Sequence, residues 1–354
     1  MSLIKILFKV GLYLSYLGIS SVLLLEFIFR ILPTSNTFEI QVTNADQPII
    51  RFEENIRIRN SLGKNFYQTA IKETNNYGFV SSKDYRRAAE PDVMVIGDSY
   101  VEAMQVDNDE SVSELIEFYD PDLNIYAIGI SGVPLSQYIK FVEYSEKEFN
   151  PSEYLIIIAG NDFNESICDI RPKQGTYCFN NDWGLSLVDF NGYSNLRKLA
   201  RSSAFMRYLV FNVKLEWRSI ISNLGLNDPG LLDEAGFAGN TERYVGNLIE
   251  SASKKVVDEF LERIRNISNG KKITLLIDAD RQDIYNGFIS ESYFRTMRNY
   301  LMAKAETHDI STIDMEPIFQ KHYQEYGNQF DFSTDGHWNE LGHELAARAF
   351  LAAD

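Results

Sequence analysis

VMVIGDS, residues 93–99, runs four apolar residues into a glycine and then two polar side chains, and it sets the frame for the rest of the chain. A run this short, apolar at successive positions and rich in β-branched residues predicts a strand covered on both faces, as in a parallel sheet. Three more runs of this kind follow: NIYAIG from Asn124, YLIIIAG from Tyr154 and ITLLID from Ile273. A weaker one, ISTID, starts at Ile310. Between them, SVSELIEFY from Ser111 and PLSQYIKFVEYSEKEF from Pro134 place apolar residues at helical spacing, and NELGHELAARAFLAA from Asn339 closes the alternation. Strand alternating with helix predicts an α/β doubly wound sheet of about five parallel strands. From Asn164 to Asn240 the alternation stops. That stretch reads as an insertion or cap with one helix from about Ser194 to Asn223, followed by a long amphipathic helix from Thr241 to Ile267 over one sheet face.

Upstream, residues 10–29 read VGLYLSYLGISSVLLLEFIF, about 20 mostly apolar residues, enough to cross a hydrocarbon core of about 30 Å. One transmembrane helix is expected, with Glu26 reaching the headgroup layer at its far end; a cleaved signal peptide is the competing reading, against which ILPTSN offers no small-x-small site. Lys5 and Lys9 precede the run and only Arg30 follows it closely, which favours a cytoplasmic N-terminus and a periplasmic or extracellular remainder. The expected organisation is an anchor at 1–33, a polar lead-in at 34–90 and the α/β domain at 91–354, carrying the insertion at about 164–240. Cys168 and Cys178 lie in one polar stretch and suit a disulfide in an oxidising compartment; in a reducing one they would be two free thiols.

Of the 354 residues, 45% are hydrophobic and 24% charged, which excludes a disordered or low-complexity protein. With 34 basic against 50 acidic side chains the formal net charge is −16, which opposes a nucleic-acid partner. Two Cys and four His are too few for a zinc-ribbon framework, while a mixed carboxylate and His site stays open on counting alone.

In open parallel sheets, functional groups collect beyond the carboxyl ends of the strands. The strand-end blocks here are Gly97-Asp98-Ser99, Ile130-Ser131-Gly132 and Gly160-Asn161-Asp162, with Asp335-Gly336-His337-Trp338 before the last helix. A serine hydroxyl needs a base to take its proton, and an imidazole held by a carboxylate is the usual one. Ser99, His337 and Asp335 fill these roles, with Asp335 turning back within an irregular loop; His343 competes with His337 but falls inside the last helix. The backbone amides of Ser99 and Gly132 and the side-chain amide of Asn161 are candidate donors to an oxyanion. Asp98 and Asp162 read as caps or loop braces. Trp338 and Tyr100 are candidates for stacking on sugar rings, with core packing as the bland alternative. Asp278, Asp280 and Asp283 end the fourth strand and read as solvated loop acids, with a bound cation as the alternative.

With these blocks in order, the sequence resembles the SGNH (GDSL-type) hydrolase family: GDSYV is similar to its serine block, IGISG to its glycine block, AGNDF to its asparagine block and DGHWNELGH to its Asp-His block. The resemblance implies a flavodoxin-like three-layer sandwich, Ser99 as nucleophile, Gly132 and Asn161 as oxyanion donors, His337 as base, Asp335 as its partner, and acyl-ester chemistry without a cofactor. TNNYGF at 74–79 is similar to a lead-in of membrane-anchored bacterial members. Two departures stand out: the acid and base are spaced D-x-H where D-x-x-H is commoner, and GDSYV replaces GDSL or GDSF. D-x-H followed by Trp resembles an acetyltransferase-like branch acting on exopolysaccharides. The expectation is a serine esterase or O-acyltransferase acting on acylated glycans, possible partners being the membrane and a membrane-bound O-acyltransferase. A non-catalytic glycan-binding or assembly subunit and a membrane-proximal lipase or phospholipase are the alternatives.

Overall fold

The computed structural model describes residues 3–170, 173–213, 244–287, 291–333 and 335–353. The chain divides into two compact units, one comprising Met1–Thr37, Arg59–Thr69 and Tyr193–Leu231, the other Phe38–Ile58, Ala70–Gly192 and Leu232–Asp354. A short two-stranded sheet, β1 (Arg57–Leu62) and β2 (Gln68–Glu73), spans the sequence boundaries of both.

The second unit is built on the apolar runs. β3 (Val93–Gly97), β4 (Ile125–Gly129), β5 (Glu153–Ile158), β8 (Lys272–Ile277) and β9 (Ser311–Asp314) form one parallel sheet in the order β4-β3-β5-β8-β9. Between β5 and β8 the chain adds an antiparallel hairpin, β6 (Tyr177–Phe179) and β7 (Leu185–Leu187), and after β9 a second one, β10 (Asp331–Phe332) and β11 (Asp335–Trp338). Side chains alternate across each strand, so Met94 and Ile96 join the core beneath helices Leu135–Glu148, Asn247–Ile267 and Tyr293–Thr307. Val93 and Val95 join the core beneath helices Val112–Tyr119, Met315–Tyr326 and Glu340–Ala353. The strand residues must be apolar on both sides because both sides are covered; each such side chain contributes about 1.5–3 kcal/mol by leaving water. This is the parallel α/β sheet expected from the runs, and the three layers are those the resemblance implied. The helix expected from Thr241 begins instead at Asn247, with Gly246 extended as its N-cap; residues 241–243 lie outside the described ones.

The first unit carries the N-terminal helix, Leu3–Ile31, whose apolar span Lys5–Ile31 is long enough to cross a membrane and has none of its length buried. Its last turns are tied to the segment from Tyr193. The Glu26 carboxylate accepts from the Ser203 hydroxyl (2.7 Å) and from the Ala204 and Phe205 N–H groups (both 3.1 Å), and it pairs with Arg30 (2.8 Å). The Phe29 ring stacks on Tyr208 and Phe205, with centroids 4.1 and 5.6 Å away. Asn212 links Ser35 and Ser61 through buried hydrogen bonds of 2.7–3.1 Å. The single helix expected from Ser194 is interrupted. Asn195–Ser202 and Ala204–Arg207 are separate helices because Ser203 is extended and its hydroxyl accepts the Met206 N–H as an N-cap, and Tyr208–Asn212 continues as a π-turn. Residues 214–223 of that expected helix, and the remainder of the insertion through 240, lie outside the described residues.

Candidate active site

β3 ends at Gly97, and Ser99 opens the short helix Ser99–Glu102 directly beyond it. Asp98 caps that helix: its Oδ1 accepts the Tyr100 N–H (3.0 Å), and its Oδ2 lies 3.1 Å from Ser99 Oγ. Gly129, at the end of β4 and paired with Gly97, allows this seating, because a Cβ there would stand 2.5 Å from the Glu102 nitrogen. The helix therefore lies against the strand ends and turns Ser99 toward the hairpin β10–β11.

Asp335 and His337 were expected on an irregular loop; they lie on β11, and its two-residue period puts both side chains on one face. Asp335 Oδ1 is 2.5 Å from His337 Nδ1 and also accepts the His337 N–H at 3.1 Å. His337 Nε2 is 2.9 Å from Ser99 Oγ. A proton on Nδ1, facing the carboxylate, leaves the Nε2 lone pair for the hydroxyl. Burial works against the imidazolium, but the hydrogen bond and charge of Asp335, with the charge of Asp98, outweigh it and hold the His337 pKa above its usual value. Burial, foremost, also raises the Asp98 carboxyl.

The strand that carries Asp335 and His337 is braced by Arg281. Arg281, fully buried, donates from Nη2 to the Gly336 carbonyl (2.7 Å) and the Tyr100 hydroxyl (2.6 Å) and pairs with Asp278 (3.1 Å). Asp278 in turn accepts the Trp338 indole N–H at 2.8 Å. One alternative from sequence is decided here and one reading is corrected. Tyr100 and Trp338 are core side chains occupied with this network, so neither is open to a sugar ring. Asp278, Asp280 and Asp283 are buried and paired with Arg281, Ser292 and Arg295, because a basic side chain stands within reach of two of them. Gln105, beside the ring with its amide 3.1 Å from Nδ1, was missed as well. Of these, only the Asp278/Arg281 spacing of three residues carried a signal in the sequence. The other pairings join residues remote in the chain.

His343, the rival base, is buried within the last helix with no hydrogen bond to Nδ1 among the described residues, and burial, with the charge of Lys72, pushes its pKa down to about 3. Asn161 is buried and gives one amide N–H to Glu165 (3.1 Å), leaving a second N–H on the same nitrogen. Asp162 is a loop brace that accepts from the Ala159 N–H (2.8 Å) and the Tyr138 hydroxyl (3.1 Å). Gly132 has φ of +67°, the left-handed region that favours glycine. Cys168 and Cys178 form a disulfide with Cα atoms 5.0 Å apart.

No family profile matches the chain, and no curated protein matches it. Among solved structures it is similar to a member of the lipolytic G-D-S-L family from Veillonella parvula, with 13% identity over 73% of this chain and 96% of that one and a TM-score of 0.40. It is also similar to an acetyl xylan esterase, with 12% identity over 74% of this chain and 98% of that one and a TM-score of 0.39. A lipase/acylhydrolase from Enterococcus faecalis shares 12% identity over 74% of this chain and 94% of that one, with a TM-score of 0.37.

Proposed function

We propose that this chain is a membrane-anchored serine hydrolase or O-acyltransferase that works through an acyl-enzyme on Ser99, with acetyl esters of cell-surface or extracellular glycans as its substrates. The observation that carries the reading is the unbroken line from Ser99 Oγ through His337 to Asp335, with links of 2.9 and 2.5 Å. In the first half-reaction Ser99 Oγ attacks the acyl carbon as its proton passes to His337 Nε2, and Asp335 holds the Nδ1–H of the imidazolium that forms. The charge that develops on the carbonyl oxygen falls to the amides of Ser99 and Gly132 and to the second N–H of the Asn161 amide. His337 then returns the proton to the departing alcohol oxygen, leaving Ser99 acylated. Water or a sugar hydroxyl repeats the sequence in reverse, releasing the acid or the new ester.

The anchor and the disulfide support an extracytoplasmic setting, since disulfides persist outside the reducing cytosol and Lys5 and Lys9 favour an internal N-terminus. The acidic balance favours neutral sugars over polyanions. A transfer reaction there needs an external acyl donor, which a membrane-bound O-acyltransferase would supply. The test is fluorophosphonate labelling of the full-length protein in detergent, with peptide mapping and p-nitrophenyl acetate turnover. The label is expected on Ser99, and Ser99→Ala is expected to abolish both label and turnover; turnover that survives the substitution refutes the reading. Acetylated glycan in the product mixture would mark transfer, and acetate alone hydrolysis.

A further inference from the structure

Lys173 comes from the insertion, yet its ammonium reaches back to the block after β4. It donates to the carbonyl of Ser131, and its Nζ would stand 3.5 Å from a Cβ placed on Gly132. The Ser131 N–H, on the preceding peptide, donates to the carboxylate of Glu102, a buried residue at the end of the Ser99 helix. Ser131 is thus gripped at both ends by opposite charges, with Glu102 on its N–H and Lys173 on its C=O.

The second grip bears on the chemistry through covalent geometry. The Ser131 C=O and the Gly132 N–H belong to one planar trans peptide, so they point in opposite directions, and fixing one aims the other. A cation on the oxygen also draws electron density from the amide and makes its N–H a stronger donor, since hydrogen bonds in series polarise one another. Gly132, in the left-handed region, supplies no backbone preference that would hold this plane by itself. Lys173 lies between Cys168 and Cys178, inside the loop that the disulfide closes. Burial, foremost, lowers the Lys173 pKa, while Glu102, Glu165 and Asp98 favour its charged form.

We infer that Lys173 is a positioning residue of the oxyanion pocket: held by the Cys168–Cys178 loop, it fixes the Ser131–Gly132 peptide so that the Gly132 N–H meets the developing oxyanion. This inference rests on the acyl-enzyme reading above. It gives the insertion a part in the reaction, 42 residues along the chain from the Ser131 carbonyl that Lys173 holds.

The experiment uses the full-length protein in detergent, unaltered and as Lys173→Met, Lys173→Arg, Cys168→Ser/Cys178→Ser and the combination of the last with Lys173→Met. Lys173→Met is expected to lower kcat for p-nitrophenyl acetate by about 10- to 100-fold, less than outright loss of an oxyanion donor, with KM and the pH of half-maximal activity unchanged. Lys173→Arg keeps a cationic donor and should recover most of the loss. Removing the disulfide should lower kcat in the unaltered protein and add little to Lys173→Met, because both changes release the same peptide. A Lys173→Met protein with unaltered kcat overturns the inference. So do equal losses in the Met and Arg variants accompanied by a fall in melting temperature, which would make Lys173 a structural prop. An unaltered protein that neither turns over nor labels at Ser99 removes the acyl-enzyme reading and this inference together, a result distinct from an active parent with an active Met variant.

Discussion

Of the 34 Lys and Arg and 50 Asp and Glu in the chain, the unit holding the N-terminal helix has eleven and three, and the unit holding Ser99 has 23 and 47. The two also bury polar groups differently. In the helix-bearing unit the buried links are neutral, Asn212 to Ser35 and Ser61. In the site-bearing unit they are ionic, with Arg281, Arg298, Asp278, Asp283 and Glu102 all buried. A buried ion pair costs desolvation and returns it only while both partners remain. The first arrangement costs little desolvation, and the second ties its charges to fixed geometry.

Substitutions sharpen that contrast. The largest effect is expected from His337→Ala, which should lower kcat by about 10⁴-fold or more with the fold retained, measured as ester turnover alongside circular dichroism. Asp335→Asn should cost about 10³- to 10⁴-fold in kcat. It should also move the ascending limb of the pH profile downward, because the active form is neutral His337 and Asp335 is what raises its pKa above the usual 6.5. In the unaltered enzyme that limb should lie above pH 6.5. Arg281→Met leaves Asp278 buried without its cation and is expected to cost about 3–5 kcal/mol of stability, read as a lowered melting temperature. Glu26→Ala, in the other unit, removes a helix-capping acceptor and should cost only about 1 kcal/mol. It would be seen as faster amide exchange at residues 204–206 with kcat unchanged. If Glu26→Ala lowered kcat as much as Arg281→Met does, the division of labour between the units would fail.

The sheet was legible because each strand is apolar at successive positions, a requirement of burial on both faces that the residues themselves display. Ser99, His337 and Asp335 were legible because strand ends in such sheets converge, so position along the chain stood in for position in space. Arg281, Gln105 and Lys173 were not. Arg281 has a local partner in Asp278, but the exposed Arg348 has one too in Glu344, and what sets Arg281 apart is its contact with Tyr100 and Gly336, both remote in sequence. The hairpin carrying the acid and base was hidden for a different reason: its strands of two and four residues are too short to show alternation. The interruption at Ser203 was equally hidden, since one serine in a helical pattern signals a cap only when its side chain turns back to the following turn.

Glu26 has a practical meaning for anyone seeking a water-soluble form of this protein. Trimming at the end of the apolar run, after Ile31, would discard the acceptor that holds Ser203, Ala204 and Phe205 and the ring on which Tyr208 rests. A shortened gene product should instead begin a turn ahead of Glu26 and replace the outward-facing leucines of the remaining stub, so that hydrophobicity is removed without unpicking the joint.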